Sequence, residues 1–116
     1  MREAPDGGPL VGPTARSLGV RPGVDIPVFG VKVIPRTGGL SVAPDDPSNL
    51  PAHRRPPEFD GTGKDPVWMI GLDSLGDDLV YRQDKPSHGL LEPVRETTLA
   101  SYQATIADSA QRWLKC

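Results

Sequence analysis

Val33-Ile34-Pro35-Arg36-Thr37-Gly38-Gly39-Leu40-Ser41-Val42 is the stretch on which the reading of this chain turns. A short alternating strand, Val31 to Ile34, runs into a paired-glycine turn and then into Ser41. Two adjacent glycines allow positive φ and the close approach of another chain or a ligand. Thr37 and Ser41 flank that bare backbone with hydroxyls, which makes it a candidate ligand-facing corner. Backbone amides around paired glycines can bind an anionic group. The spacing matches neither a phosphate-binding Walker loop nor a dinucleotide GxGxxG fingerprint, so the plainer reading is a turn.

Outward from this turn the chain divides into unequal parts. Residues 1–23 are mostly Pro, Gly, Ala and single charges, with Leu10, Val11, Leu18 and Val20 as apolar anchors, and read as a flexible or irregular arm. Residues 24–116 read as one domain. Val24 to Ile34 is β-branched and broken by Pro27 and Gly30, as expected of two short strands joined by a turn at Phe29-Gly30. Ser41 and Val42 continue as a brief strand. The Pro-rich stretch 43–66 then loses amide donors at Pro44, Pro47, Pro51, Pro56 and Pro57 and must be loop. It concentrates positive charge at His53-Arg54-Arg55 and is long enough to cover the glycine turn.

Regular structure resumes at Val67-Trp68-Met69-Ile70, which reads as a buried strand. A turn or single helical turn follows within Asp73 to Leu79, then a strand at Leu79-Val80-Tyr81-Arg82. Asp84 to Ser87 reads as a hairpin turn and His88 to Val94 as its returning strand. Leu99, Tyr102, Ile106, Ala110 and Trp113 recur at three- and four-residue steps, the stripe of a helix packed on a sheet. Thr97 or Thr98 can cap it, and Glu96 suits the positive end of its dipole. The expected fold class is therefore α+β, a small twisted, mainly antiparallel sheet with one C-terminal helix.

Composition narrows the function classes. With 116 residues and a formal charge of -2, the chain carries no general basic field for nucleic acid. It has no apolar run long enough for a membrane span and no signal-peptide pattern, so a cytoplasmic location is expected, or export without a cleavable signal. The single cysteine, Cys116, makes no internal disulfide, and no Cys/His spacing suggests a metal site. His88 opens an apolar strand, where an imidazole can act as acid or base near neutral pH or simply satisfy nearby backbone. Arg54 and Arg55, with Lys64, suit phosphate, pyrophosphate or an acidic protein surface, or form a solvated loop. A triad of Ser41, His88 and Asp45, Asp46 or Glu92 can be written down, but no nucleophile-elbow pattern surrounds Ser41.

Taken in order, Asp25-Ile26, Val33, Pro35, Thr37-Gly38-Gly39, Ser41-Val42, Asp78-Leu79, Gln83-Asp84, His88 and Pro93 resemble the Tse-type toxins of type VI secretion with an ADP-ribosyltransferase-like fold. The similarity runs from about Arg21 to Tyr102. It implies a small NAD-dependent ADP-ribosyltransferase-like toxin of bacterial competition, with an unknown intracellular target and an immunity protein or antitoxin as partner. By the same resemblance Thr37, Gly38, Gly39 and Ser41 match the family's hydroxyl-bearing turn, and His88 its later histidine. Leu40 and Gly89 stand where the family has Thr and Tyr, and its first arginine-bearing strand has no counterpart before Arg21. Glu92 is the nearby strand carboxylate suited to an oxocarbenium-like centre. The expected site thus comprises catalytic Ser41, His88 and Glu92, with Thr37, Gly38, Gly39, Arg54 and Arg55 toward NAD and no metal. The alternative is a noncatalytic protein-binding module of related fold.

Overall fold

The computed structural model describes residues 1–116. Its regular elements are β1 (Lys32–Val33), β2 (Leu40–Val42), β3 (Trp68–Met69), β4 (Leu79–Lys85), β5 (His88–Pro93), β6 (Thr97–Thr98), helix α1 (Leu99–Asp108) and β7 (Leu114–Lys115). The strands form one three-stranded antiparallel sheet, in the order β2-β5-β4, and two antiparallel ribbons, β1-β6 and β3-β7. The α+β class with antiparallel strands and one C-terminal helix stands. The single sheet becomes three pieces because prolines and turns interrupt the chain every few residues. No helix is long and apolar enough to cross a membrane.

The β4-β5 hairpin is the longest regular unit. Pro86-Ser87 closes it, and the register runs from Leu79↔Pro93 to Lys85↔His88 with an irregularity between Gln83 and Lys85. Leu79 and Leu91 lie in the core, with Tyr81 packed against it. Val80, Arg82, Leu90 and Glu92 therefore alternate onto the opposite face. A tight turn does form beside Gly30, whose φ is 66°, with Phe29 and Lys32 exchanging backbone hydrogen bonds across it.

Helix α1 follows the stripe expected of it. The Thr98 hydroxyl accepts a hydrogen bond from the Ser101 amide, which satisfies one otherwise unpaired donor of the first turn. Tyr102, Ile106, Ser109 and Trp113 are buried, Ser109 opening the 3-10 turn Ser109–Arg112 that ends the helix and Trp113 following it. Two further differences concern the ends of the domain. Val67–Ile70 is only partly buried, since Met69 is 55% exposed. Its partner is β7, with Trp68↔Lys115 and Met69↔Leu114.

The first 23 residues lack regular strands, yet they are fastened to the domain. Leu18 and Val20 belong to the core. The Gln103 side chain receives the Val20 amide at 3.1 Å and donates to the Val20 carbonyl at 2.7 Å, replacing a strand neighbour. The Pro-rich stretch is likewise ordered, with 3-10 turns at Pro47–Asn49, Ala52–Arg54 and Pro57–Phe59.

Arg21 and Asp25 close the turn that leads to Ile26. Asp25 accepts from the Arg21 amide at 2.7 Å and from its guanidinium at 3.1 and 2.9 Å. Burial alone would raise the Asp25 carboxyl, but these donors prevail and hold it below its ordinary 3.8. A depressed folded value contributes stability that is present above about pH 4 and lost as pH falls through it. The melting temperature is therefore expected to drop between pH 5 and pH 3, and Asp25→Asn to melt lower at pH 5 with a shallower drop. Thermal melts at both pH values, for both proteins, measure the difference.

Candidate functional site

The paired glycines do their work inside the protein. Neither has positive φ; the left-handed residue of this turn is Arg36, at 65°. Both glycines are buried, and the space they leave is taken by neighbouring backbone. A side chain on Gly38 would run into the Asp25 carbonyl oxygen. A Cβ on Gly39 would lie 2.5 Å from the Leu91 carbonyl oxygen and 3.1 Å from the Tyr102 hydroxyl. The Gly39 amide donates to the Asp25 carbonyl at 2.9 Å. Close approach was the right expectation, but the approaching group is the protein's own.

Tyr102 explains the crowding. Its hydroxyl donates to the Leu91 carbonyl at 2.6 Å and accepts from the Leu40 amide at 3.2 Å. Leu40 and Leu91 face each other across β2 and β5, so the phenol oxygen sits between two ladder partners. The helix is thereby joined to the sheet through one hydroxyl. Burial pushes the Tyr102 phenol far above its ordinary value and keeps it a neutral donor.

The open surface lies one residue further. Leu40 and Val42 pack against the core, whereas Ser41 between them is exposed and stands opposite Leu90. His88 and Glu92 flank Leu90 two residues to either side. By the pleat, Ser41, His88 and Glu92 share one sheet face, with diagonal spacings of about 7–8 Å. The three residues expected to be catalytic thus share one sheet face, although Glu92 is buried in it and no hydrogen bond links them.

Two of the three have partners that sequence reading did not assign. Glu92 is 2% exposed, and its Oε2 accepts from Arg82 Nε at 2.9 Å and Nη2 at 2.7 Å. His88 Nδ1 meets Asp84 Oδ1 at 2.6 Å, and this bond holds the Asp84 carboxyl below its usual range. A carboxylate at Nδ1 holds the imidazole in place and leaves Nε2 outside that contact. Asp84 lies at the register irregularity of the hairpin, where a bulge re-aims a side chain. The Asp-x-x-x-His spacing across a two-residue turn was the available signal. Gly89, beside His88, is covered by the Tyr81 ring from the adjacent strand.

The remaining expected residues divide by role. Thr37 donates its hydroxyl to the Ile34 carbonyl at 2.8 Å and closes the turn. Arg55 points into its own loop, donating to the Leu50 carbonyl at 3.0 Å and the Phe59 carbonyl at 2.6 Å. Arg54 reaches the other way, to the Ala15 carbonyl at 2.8 Å. The loop's basic corner thus rests on the N-terminal segment, where the sequence suggested a cover for the glycine turn. No group of three or more His, Cys, Asp or Glu side chains is placed to hold a metal ion.

Comparison with known proteins found no matching family model, no similar curated protein and no solved structure of similar fold.

Proposed function

We propose that the chain is a small ADP-ribosyltransferase-like toxin domain that uses NAD against an intracellular target, with the face bearing Ser41 as its reactive surface. The observation that carries this reading is the grouping of Ser41, His88 and Glu92 on one face of the β2-β5-β4 sheet, with the serine hydroxyl open to solvent. The ordered sequence resemblance to Tse-type toxins supplies the chemistry. Ser41 would position the nicotinamide ribose, the oriented His88 would manage a proton, and Glu92 would stabilise positive charge at the ribose carbon. Ser41 suits a ribose hydroxyl. The Gly39 amide does not suit a phosphate, because it already donates to Asp25. Delivery by type VI secretion and neutralisation by an immunity protein belong to the same proposal.

A second reading, a noncatalytic protein-binding module, is favoured by one observation. The carboxylate expected to do chemistry is engaged by Arg82. Inducible expression in a bacterial cytoplasm separates the two. The toxin reading expects growth arrest by the wild type, at least a hundredfold recovery of colony count with Ser41→Ala, and equal soluble protein, because Ser41 is exposed and makes no side-chain hydrogen bond. Normal growth with abundant soluble wild type would instead favour the binding module, which should also tolerate His88→Ala.

A further inference from the structure

A second surface of this protein has the composition of an anion site. Between the N-terminal segment and the Pro-rich loop lies a groove of about 400 Å³, lined by Arg16, His53, Arg54, Lys64 and Asp65. That volume falls within the range of small-molecule sites. Four of these five side chains are cationic or become so on protonation, on a chain whose formal charge is -2.

The charges are not equivalent. Arg16 forks onto Asp65 at 2.8 and 2.9 Å, so that pair is neutral and the one carboxylate in the groove is satisfied. Arg54 is anchored through a carbonyl and forms no direct ion pair, although its charge also reaches Asp25. Lys64 is exposed and pairs with no carboxylate. His53 adds a ring N–H donor. The groove therefore keeps two permanent positive charges after its internal pairing.

Its walls are held in place before any ligand arrives. The Thr62 amide donates to the Ala52 carbonyl at 2.8 Å and the Gly63 amide to the Arg55 carbonyl at 2.7 Å, tying the two sides of the loop together. The two inward bonds of Arg55 brace the same loop from within. Arg54, held at the Ala15 carbonyl, loses little freedom on binding, whereas the Lys64 side chain is ordered by the ligand.

We infer that the groove formed by Arg16, His53, Arg54 and Lys64 binds the phosphate or pyrophosphate group of a small ligand. Arg54 and Lys64 supply the charge, His53 a further donor, and the Arg16–Asp65 pair a fixed wall. The inference does not rest on the toxin reading: Arg54, which the sequence assigned toward NAD, lies in this groove, and none of the groove's residues belongs to the β2-β5-β4 sheet that carries Ser41.

Calorimetric titration of the full chain with inorganic pyrophosphate at low salt tests it. One-to-one binding is expected, weakened about tenfold by Lys64→Glu and by Arg54→Ala, as for loss of a charge-assisted contact. Lys64→Glu breaks no internal bond and keeps the test valid should Arg54→Ala fold poorly. Lys32→Glu, on strand β1 and outside the groove, should leave binding unchanged. A parallel titration with ADP identifies the source: tighter binding than pyrophosphate assigns a nucleotide, equal binding a bare phosphate group. Absence of pyrophosphate binding, or equal weakening by Lys64→Glu and Lys32→Glu, would overturn the site. Neither outcome bears on growth arrest by Ser41, so the two proposals fail separately.

Discussion

Gly39→Ala is expected to lower stability by about 3 kcal/mol, at the upper end of what an inserted methyl costs in a packed interior. For a domain of this length that corresponds to a melting temperature lower by about 10–20 °C. The reason is the identity of the obstacles. The new Cβ would meet the Leu91 carbonyl oxygen at 2.5 Å and its carbon at 3.1 Å, both backbone atoms of a central strand. The third obstacle, the Tyr102 hydroxyl at 3.1 Å, is held by Leu91 and Leu40 on either side. None can yield without opening the β2-β5 ladder or releasing the helix. Gly8→Ala is the control, since its nearest neighbours lie at 3.4 and 3.9 Å. It should change stability by less than about 1 kcal/mol, as surface substitutions do. Equal melting of Gly39→Ala and wild type by circular dichroism would show that the glycine pair is no structural requirement.

What the sequence reveals here depends on how far apart the interacting residues lie. The helix was legible because its evidence is local: Tyr102, Ile106 and Trp113 repeat at the helical period, and Thr98 stands where a cap belongs. The glycine pair announced close approach, but Gly38 packs on Asp25 of an earlier turn and Gly39 on Leu91 and Tyr102, more than fifty residues away. Nothing in the turn could name them. Strand β7 was missed because a two-residue strand has no alternation to detect. The anchoring of Val20 was hidden for a similar reason, since Gln103 looks like an exposed polar residue on the helical wheel until its two hydrogen bonds are known. At the candidate site, Ser41, His88 and Glu92 were nameable from the chain. Their shared face depends on strand register, and the partners Arg82 and Asp84 depend on the irregularity in that register.

Removal of Arg82 has the second large expected effect, and it bears on what Glu92 is for. Arg82→Ala would leave a carboxylate that is 2% exposed without its guanidinium, and loss of one partner of a buried pair costs about 3–5 kcal/mol. Arg82 itself is about one-third exposed, so water entering the vacated space should hold the cost at the low end of that range. Replacing both residues, Arg82→Ala with Glu92→Leu, removes the stranded charge and should recover most of that loss. Urea unfolding of the two single variants and the double variant gives the coupling directly. No recovery in the double variant would mean that the arginine stabilises the sheet by packing and not by answering Glu92. The same series separates structure from chemistry. Glu92→Gln keeps an oxygen for Arg82 but no charge to steady a cationic ribose. A folded Glu92→Gln protein that no longer arrests growth would make the buried carboxylate part of the reactive surface, and one that arrests growth as the wild type does would leave it a strut between β4 and β5.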